Sequence, residues 1–212
     1  MLIEAAVETR DAALAAARGG AHRIELCADL AHGGTTPEIE PLPLAIPVFV
    51  LIRPRTGDFV YTAAEHRTML EQIRRAKHAG AHGIVTGALT AAGDIDQLRT
   101  AELVAATRPL PVTFHRAFDD CRAQAAALET LISLGVERVL TSGGAETAAA
   151  GAEQIAKLVK QAQGRITILA GGGVAADNVR QLVRVSGVTE IHFSVKDSEK
   201  VRHVLRALKE SQ

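Results

Sequence analysis

Short apolar runs rich in β-branched residues recur along the chain, and each is separated from the next by a stretch with helical spacing. Runs of this kind predict β-strands, and the stretches between them predict amphipathic helices. The predicted strands cover residues 2–7, 23–27, 48–53, 83–87, 112–115, 138–141, 166–170 and 190–193. The predicted helices lie near residues 11–18, 62–79, 96–107, 122–134, 147–163, 175–185 and 198–209.

The join between helix and strand follows one repeated scheme. Gly20, Gly80, Gly135 and Gly187 each end a helical pattern shortly before an apolar strand. Glycine suits this place because the residue after a helix often needs positive φ. Prolines break the segment 36–46, so we expect the second helix to be short or lost. Eight strands alternating with helices predict a single-domain (β/α)₈ TIM barrel over residues 1–212. A doubly wound sheet is the alternative, but the regular spacing favours the barrel.

Strand alternation predicts which side chains face the barrel interior. The expected set includes Glu4, Ala6, Arg23, Glu25, Cys27, Leu51, Arg53, Thr113, His115, His192 and Ser194. Buried charges are costly unless they are paired, and we expect Glu25 to pair with Arg53. These charges either form a functional pocket or a polar network that only holds the barrel in register.

Charged residues follow the fifth predicted strand, where the active face of a TIM barrel lies. His115 is the preferred general acid or base, because an imidazole titrates near neutrality. Arg116, Asp119 and Asp120 follow it closely. The predicted catalytic residues are Glu4, Glu25, Arg53, His115, Arg116 and Asp119.

Two glycine-rich loops predict anion binding. Gly171, Gly172 and Gly173 follow the seventh strand and precede a helix expected near Ala175, and Ser194 follows the eighth strand. Barrels often bind phosphate after these two strands. Ser142 and Gly143, after the sixth strand, form a second candidate, although tight turns alone would also explain these glycines.

Composition narrows the choice of partners. The chain has 212 residues, formal net charge zero, 3% aromatic residues and no Trp, so nucleic-acid binding is not expected. Glu4 and Glu8 interrupt any signal-peptide apolar region, and no apolar run would span a membrane. The two cysteines form no disulfide framework, so we expect a reduced cytoplasmic protein.

Metal binding has a weaker signal. The chain has no C-x-x-C or H-x-x-x-H motif and no evident organic-cofactor motif. Cys27 on the inner face could bind a soft ion such as Cu(I), with His192 or His115. From spacing alone, a small buried apolar cysteine is the more common explanation. Cys121, at a helix start, is interpreted as structural or incidental.

Several strings together resemble the CutC family of copper homeostasis proteins over nearly the whole chain. They are A-H-R-I-E-L-C, G-G-T-T-P, V-F-V-L-I-R-P-R-T-G-D-F-V-Y, P-L-P-V-T-F-H-R-A-F-D, R-V-L-T-S-G-G and A-G-G-G-V. The resemblance implies a TIM barrel, cytoplasmic copper binding or trafficking, and a homo-oligomer, either a homodimer or a homotetramer.

Two departures from the family pattern bear on the copper ligands. Ala6 stands where many relatives carry a strand-one cysteine, whereas Cys27 is kept; one thiolate with imidazoles makes a poorer Cu(I) site than two thiolates. Phe193 stands before Ser194, where relatives commonly have a small residue or cysteine.

Two functional hypotheses therefore remain, beside a third interpretation in which the barrel is a scaffold with only a structural polar core. The first is copper homeostasis, with Cu(I) at Cys27 and His192 or His115. The second is an enzyme that performs acid/base chemistry (isomerisation, epimerisation or carbon–carbon cleavage) on a small anionic metabolite, with a phosphorylated one among the candidates. Glu25 and His115 would be the acid/base pair and Arg53 and Arg116 the anion clamp. Gly172, Gly173 and Ser194 would cradle the anion.

Overall fold

Eight parallel strands close into a barrel in chain order in the computed structural model, which describes residues 1–41 and 44–209. Strand β8 pairs with β1 and closes the cylinder. The strands β1 to β8 are Leu2–Val7, Arg23–Leu26, Val48–Leu51, Gly83–Thr86, Val112–Phe114, Arg138–Thr141, Thr167–Gly171 and Glu190–Ser194. The predicted TIM barrel is confirmed.

Seven α-helices surround the barrel within the described residues. They are α1 Arg10–Gly19, α2 Ala63–His78, α3 Gln97–Thr107, α4 Gln124–Ser133, α5 Ala152–Ala162, α6 Val179–Ser186 and α7 Ser198–Lys209. Their ends carry the expected chemistry. Thr62 and Glu65 form a reciprocal capping box at the start of α2, and Gly20 after α1 has φ +100°.

Two helices begin later than the sequence predicts. Helix α5 begins at Ala152, immediately after Gly151, which lies so close to the carbonyl of Ser142 that no Cβ would fit there. Helix α6 begins at Val179, because the Asn178 side chain accepts from the Ala175 N–H and donates to the Gly173 carbonyl. The expectation of a helix starting near Ala175 is therefore wrong, and a turn separates Gly173 from α6.

Among the described residues, no α-helix lies between β2 and β3. A short 3₁₀ helix, Leu30–His32, follows β2, and the described residues of 36–46 are irregular, as the prolines predict. Leu42 and Pro43, which belong to this predicted segment, lie outside the described residues, as do 210–212 of the predicted domain.

The main hydrophobic core lies between the barrel wall and the helices. Outward side chains of the strands, such as Ile3, Ile24 and Phe114, are completely buried there. None of the helices described is both long and apolar enough to cross a bilayer. The inner face of the barrel, by contrast, is partly polar.

Candidate functional site

An ion-pair network fills the lower part of the barrel, near the amino ends of the strands. Arg23 is ion-paired with Glu4 and, at 2.7 Å between Nη2 and Oε2, with Glu190. The Arg138 Nε–H donates to the same Glu190 oxygen at 2.6 Å. Both guanidinium groups also lie over the Phe49 ring, with Cζ 4.9 and 5.6 Å from its centroid. Polar groups at this end of a TIM barrel commonly serve stability.

Sequence reasoning included Glu4 and Arg23 in the interior but missed Arg138 and Glu190. The sequence does contain a signal that could have placed both residues in the barrel interior. Each is the first residue of its strand, and strand alternation places Arg138 on the face of Leu140, and Glu190 on the face of His192.

Three side chains form a compact donor group one layer higher. Among the described residues, Glu4, Glu25 and His192 form a group whose ligand atoms all lie within 4.8 Å of one another. The His192 Nδ1–H donates to Glu4 Oε1 at 2.8 Å and lies 3.6 Å from Glu25 Oε2. That Glu25 oxygen is buried without a hydrogen-bond partner. The strand register explains why the three side chains converge. Glu4 lies opposite His192 in the β1–β8 pair, and Glu25 lies opposite Ala6 in the β1–β2 pair. Ala6 is two residues after Glu4, so both face the barrel interior.

The surroundings shift the pKa values of these three groups in different directions. Burial raises the pKa of Glu25 to about 7. Burial also acts on Glu4, but the hydrogen bond with His192 and the charge of Arg23 prevail and lower its pKa to about 2. Burial opposes the charged form of His192, yet the hydrogen bond to Glu4 and the charge of Glu25 raise its pKa. The two carboxyl groups therefore favour the protonated form of His192.

Cys27 lies above this group and is not one of its members. The thiol is completely buried and donates to the Val7 carbonyl at 3.4 Å. Burial, with the charge of Glu25, raises its pKa, which keeps it protonated. The structure groups His192 with the two glutamates, and Cys27 is not among the ligand atoms that lie within 4.8 Å of one another. Cys121 is also a buried free thiol, at the start of the segment leading to α4, and burial raises its pKa to about 12.

A small apolar layer closes the barrel above the donor group. Ala6, Cys27, Leu51 and Val85 form one buried cluster with Phe49, and Leu30 packs against it from the loop after β2. This layer keeps the glutamates in a medium of low dielectric constant, where a charge without a partner is costly.

Arg53 lies at the barrel mouth, and the expected Arg53–Glu25 ion pair is wrong. Glu25 lies opposite Phe49, and Arg53 is four residues further along the chain, two beyond the end of β3, which is about 13 Å at 3.3 Å per residue. Its Nη1–H donates to the Gly34 carbonyl at 2.9 Å, and its Nη2–H donates to the Gly57 carbonyl at 2.7 Å. Arg53 thus ties two loops together.

His115 is next to Arg53 and is electrically neutral. Its Nδ1 accepts from the Ala117 N–H at 3.2 Å, and its ring lies 4.9 Å from the Phe59 ring between centroids. Burial, reinforced by the charge of Arg53, lowers the pKa of His115 to about 3. The expectation that this imidazole titrates near neutrality is therefore wrong.

Arg116, Asp119 and Ser142 form a third cluster, on the loops after β5 and β6. The Arg116 guanidinium donates to Asp119 at 2.8 Å and to Ser142 Oγ at 2.9 Å. Asp119 also accepts from the N–H groups of Ser142 and Gly144, and from the Thr141 hydroxyl. These hydrogen bonds show that Asp119 holds the conformation of the loop after β6. In the same loop, the Gly143 N–H donates to Thr141 Oγ1 at 2.8 Å.

The remaining predicted anion ligands are distributed over different places. Gly171 lies inside β7, packed against Leu140 and His192. A Cβ on Gly172 would lie 3.4 Å from Arg116 Nη1, so this glycine adjoins the third cluster. Gly173 has φ +69° and begins the turn before α6. Ser194 lines a separate cavity of about 490 Å³ with Glu8, Leu30, Ala31, Val195, Lys196, Asp197 and Lys200.

Comparison with known proteins gives one consistent result. The family model described as the CutC family matches residues 1–197. The mouse copper homeostasis protein cutC homolog is 50% identical over 202 residues, which cover 93% of this chain and 74% of the mouse protein. The human homolog is 49% identical over 202 residues, which cover 93% of this chain and 74% of the human protein.

The solved structures agree. The crystal structure named for the copper homeostasis protein CutC of Streptococcus agalactiae has a TM-score of 0.84 and 35% identity, covering 91% of this chain and 97% of that one. An aldolase, QR15, has a TM-score of 0.69 at 15% identity, which shows a shared barrel fold alone.

Proposed function

This chain belongs to the CutC family, and from that premise we propose that it acts in copper homeostasis by binding a copper ion inside the barrel, at Glu4, Glu25 and His192. The observation that carries the proposal is the donor group itself. Two carboxylates and an imidazole converge within 4.8 Å, and Glu25 Oε2 is buried without a partner. A bound cation would satisfy that oxygen.

The chemistry of the donors bears on the oxidation state of copper. Carboxylate and imidazole ligands suit Cu(II), whereas Cu(I) prefers thiolates. Cys27 offers the one sulfur near this group, but its buried thiol must lose a proton first. We therefore place Cu(II) at the three-residue group, with Cys27 as the additional ligand that Cu(I) would need. Copper would replace the proton of His192, so binding should release protons.

The three side chains differ in how far they are exposed to solvent. Glu4 is completely buried, whereas the His192 side chain is 13% exposed. An ion would therefore reach the group from the His192 side.

The test is a pair of titrations, one with Cu(II) and one with Cu(I) under anaerobic conditions, each against a competing chelator. We expect one-to-one binding that Glu25→Gln abolishes. Cys27→Ser should weaken Cu(I) more than Cu(II). Cys121→Ser is the matched control, since it removes the other buried thiol and should change neither affinity. Copper binding that survives Glu25→Gln would overturn the site, and wild type without copper binding would overturn the function.

The cellular setting and assembly are part of the proposal. We place the protein in the cytoplasm, in keeping with its two free cysteines. We also propose the homodimer or homotetramer that the family resemblance implies, which light scattering coupled to gel filtration tests directly.

Acid/base catalysis is the second candidate, and one observation favours it. The Glu25 carboxyl, with a pKa raised to about 7 by burial, lies 3.6 Å from His192, an arrangement suited to proton transfer. His192 replaces His115 as the partner of Glu25 in this version. The apolar layer with Leu30 covers the group, which favours an ion over a larger substrate. Turnover of a small anionic metabolite that Glu25→Gln abolishes would establish the enzyme.

A further inference from the structure

A cavity of about 490 Å³ opens at the carboxyl end of the barrel, between the segments that follow β1, β2 and β8. Ser194 at the end of β8 and Glu8 just after β1 contribute to its lining, and Leu30, Ala31 and Val195 supply apolar wall. A volume of this size is typical of pockets that hold small molecules. The cavity is separate from the donor group inside the barrel and from the ion-pair network below it.

The amine of Lys200 is one of the groups that line this cavity. Lys200 lies in the first turn of α7 and is partly buried. Its Nζ donates to the Ser194 carbonyl at 2.9 Å and lies 5.5 Å from the centroid of the Phe193 ring. These two contacts hold the amine in place beside the cavity.

No carboxylate among the described residues forms an ion pair with Lys200. The other charged groups of the cavity are Glu8, Lys196 and Asp197. Glu8 accepts from the Leu30 N–H at 3.0 Å, and Asp197 accepts from an N–H in the first turn of α7 at 2.8 Å. An adjoining cavity that Lys200 also lines adds Asp177, Glu199 and His203. The ammonium form of Lys200 therefore lacks the partner that would stabilise it most.

The surroundings favour the neutral amine more than those of an exposed lysine do. Burial lowers the pKa of Lys200. The amino end of a helix carries positive partial charge, which also disfavours a cation there. The hydrogen bond to the Ser194 carbonyl remains possible, because a neutral amine still donates. A neutral amine is a nucleophile that reacts with carbonyl carbons.

We propose that Lys200 forms an imine with a small, uncharged aldehyde or ketone bound in this cavity. The Nζ atom forms a bond to the carbonyl carbon, and the carbinolamine then loses water to leave a C=N bond. Both amine hydrogens depart with the carbonyl oxygen as that water, so the step needs no oxidant or reductant. Two lysines and two carboxylates line the cavity, and this balance favours a substrate without net charge. The proposal does not depend on copper binding.

The experiment traps the imine in the whole protein with propanal and sodium cyanoborohydride at neutral pH, because the hydride reduces a C=N bond to a stable amine. The readout is the rate of modification at each lysine, measured by peptide mass spectrometry. Lys196 is the matched internal control, since it is an exposed lysine on the same cavity. Lys200→Arg keeps the positive charge and removes the amine, and Lys196→Arg is the corresponding control variant.

We expect Lys200 to be modified several-fold faster than Lys196, at a rate that saturates as the propanal concentration rises. Saturation distinguishes binding in the cavity from reactivity of the amine alone. In urea, where the cavity is lost, the two lysines should react alike. Lys196→Arg should leave the rate at Lys200 unchanged, and Lys200→Arg should remove the saturable modification. Equal rates at the two lysines in the folded protein would overturn the proposal, as would a rate at Lys200 that never saturates.

Discussion

His115 offers a direct test of how strongly the barrel mouth excludes water. In the folded protein, burial and the neighbouring Arg53 lower the pKa of this imidazole to about 3, from 6.5 in the unfolded chain. Between these two values the unfolded chain binds a proton that the folded chain does not. Lowering the pH through this range therefore favours unfolding. The stability that the neutral ring provides is fully present above pH 6.5 and is lost as the pH falls.

The magnitude follows from the two pKa values. Between pH 7 and pH 5, protonation of the unfolded imidazole lowers the free energy of unfolding by about 2 kcal/mol. Solvent screening does not reduce this figure much, because His115 is 5% exposed. Glu25 titrates in the same range with the opposite sign, since its pKa is raised to about 7. The wild-type pH profile alone would therefore hide the effect.

The substitution His115→Asn isolates the contribution of His115 from that of Glu25. Asparagine can still accept the Ala117 N–H, because His115 occupies the N-cap of a 3₁₀ helix, Arg116–Asp120. Urea unfolding at pH 7 and pH 5 gives the stability difference between wild type and variant. We expect that difference to move in favour of the variant by about 2 kcal/mol at the lower pH. An identical difference at both pH values would refute the argument.

Three further outcomes follow from the packing and the ion pairs. Gly83→Ala would place a Cβ 2.5 Å from the Phe49 ring, so we expect a loss of about 1–3 kcal/mol in chemical denaturation, and an unchanged midpoint would contradict the packing. Glu190→Gln weakens the shared partner of the buried Arg23 and the partly buried Arg138, and it should cost about 3 kcal/mol. Glu129→Gln, at an exposed ion pair with Arg165, should change the melting temperature little. Asp119→Ala removes the acceptor for two loop N–H groups, so hydrogen exchange at Ser142 and Gly144 should accelerate, and unaltered exchange would show that the loop holds its shape without Asp119.

The strands could be predicted because each leaves a local signal. β-branched runs and the glycines before them depend on backbone preferences of a few neighbouring residues. Strand β1, Leu2–Val7, and helix α7, Ser198–Lys209, have the predicted bounds. Helix starts were less predictable. The late start of α6 depends on Asn178 contacting Gly173 and Ala175, and helical spacing does not reveal that turn.

The pairing of interior charges could not be predicted in the same way. Alternation gives the face of a residue but not its height in the barrel, which depends on the register between strands. Glu25 and Arg53 both lie toward the interior, but the register places Phe49 opposite Glu25 and moves Arg53 to the mouth. For the same reason, the sequence did not reveal that His192 lies opposite Glu4.

Glu4 connects the lower ion network to the candidate copper group, and this has a consequence for both. One of its oxygens is paired with Arg23 and the other accepts from His192. An ion bound at Glu4 would replace the His192 proton but leave the Arg23 pair in place, so the network would orient Glu4 before the ion arrives. A carboxylate held in this way loses little conformational freedom on binding. The ion-pair network that holds the barrel register would then also prepare the copper ligand, so the structural and functional interpretations of these buried charges are compatible.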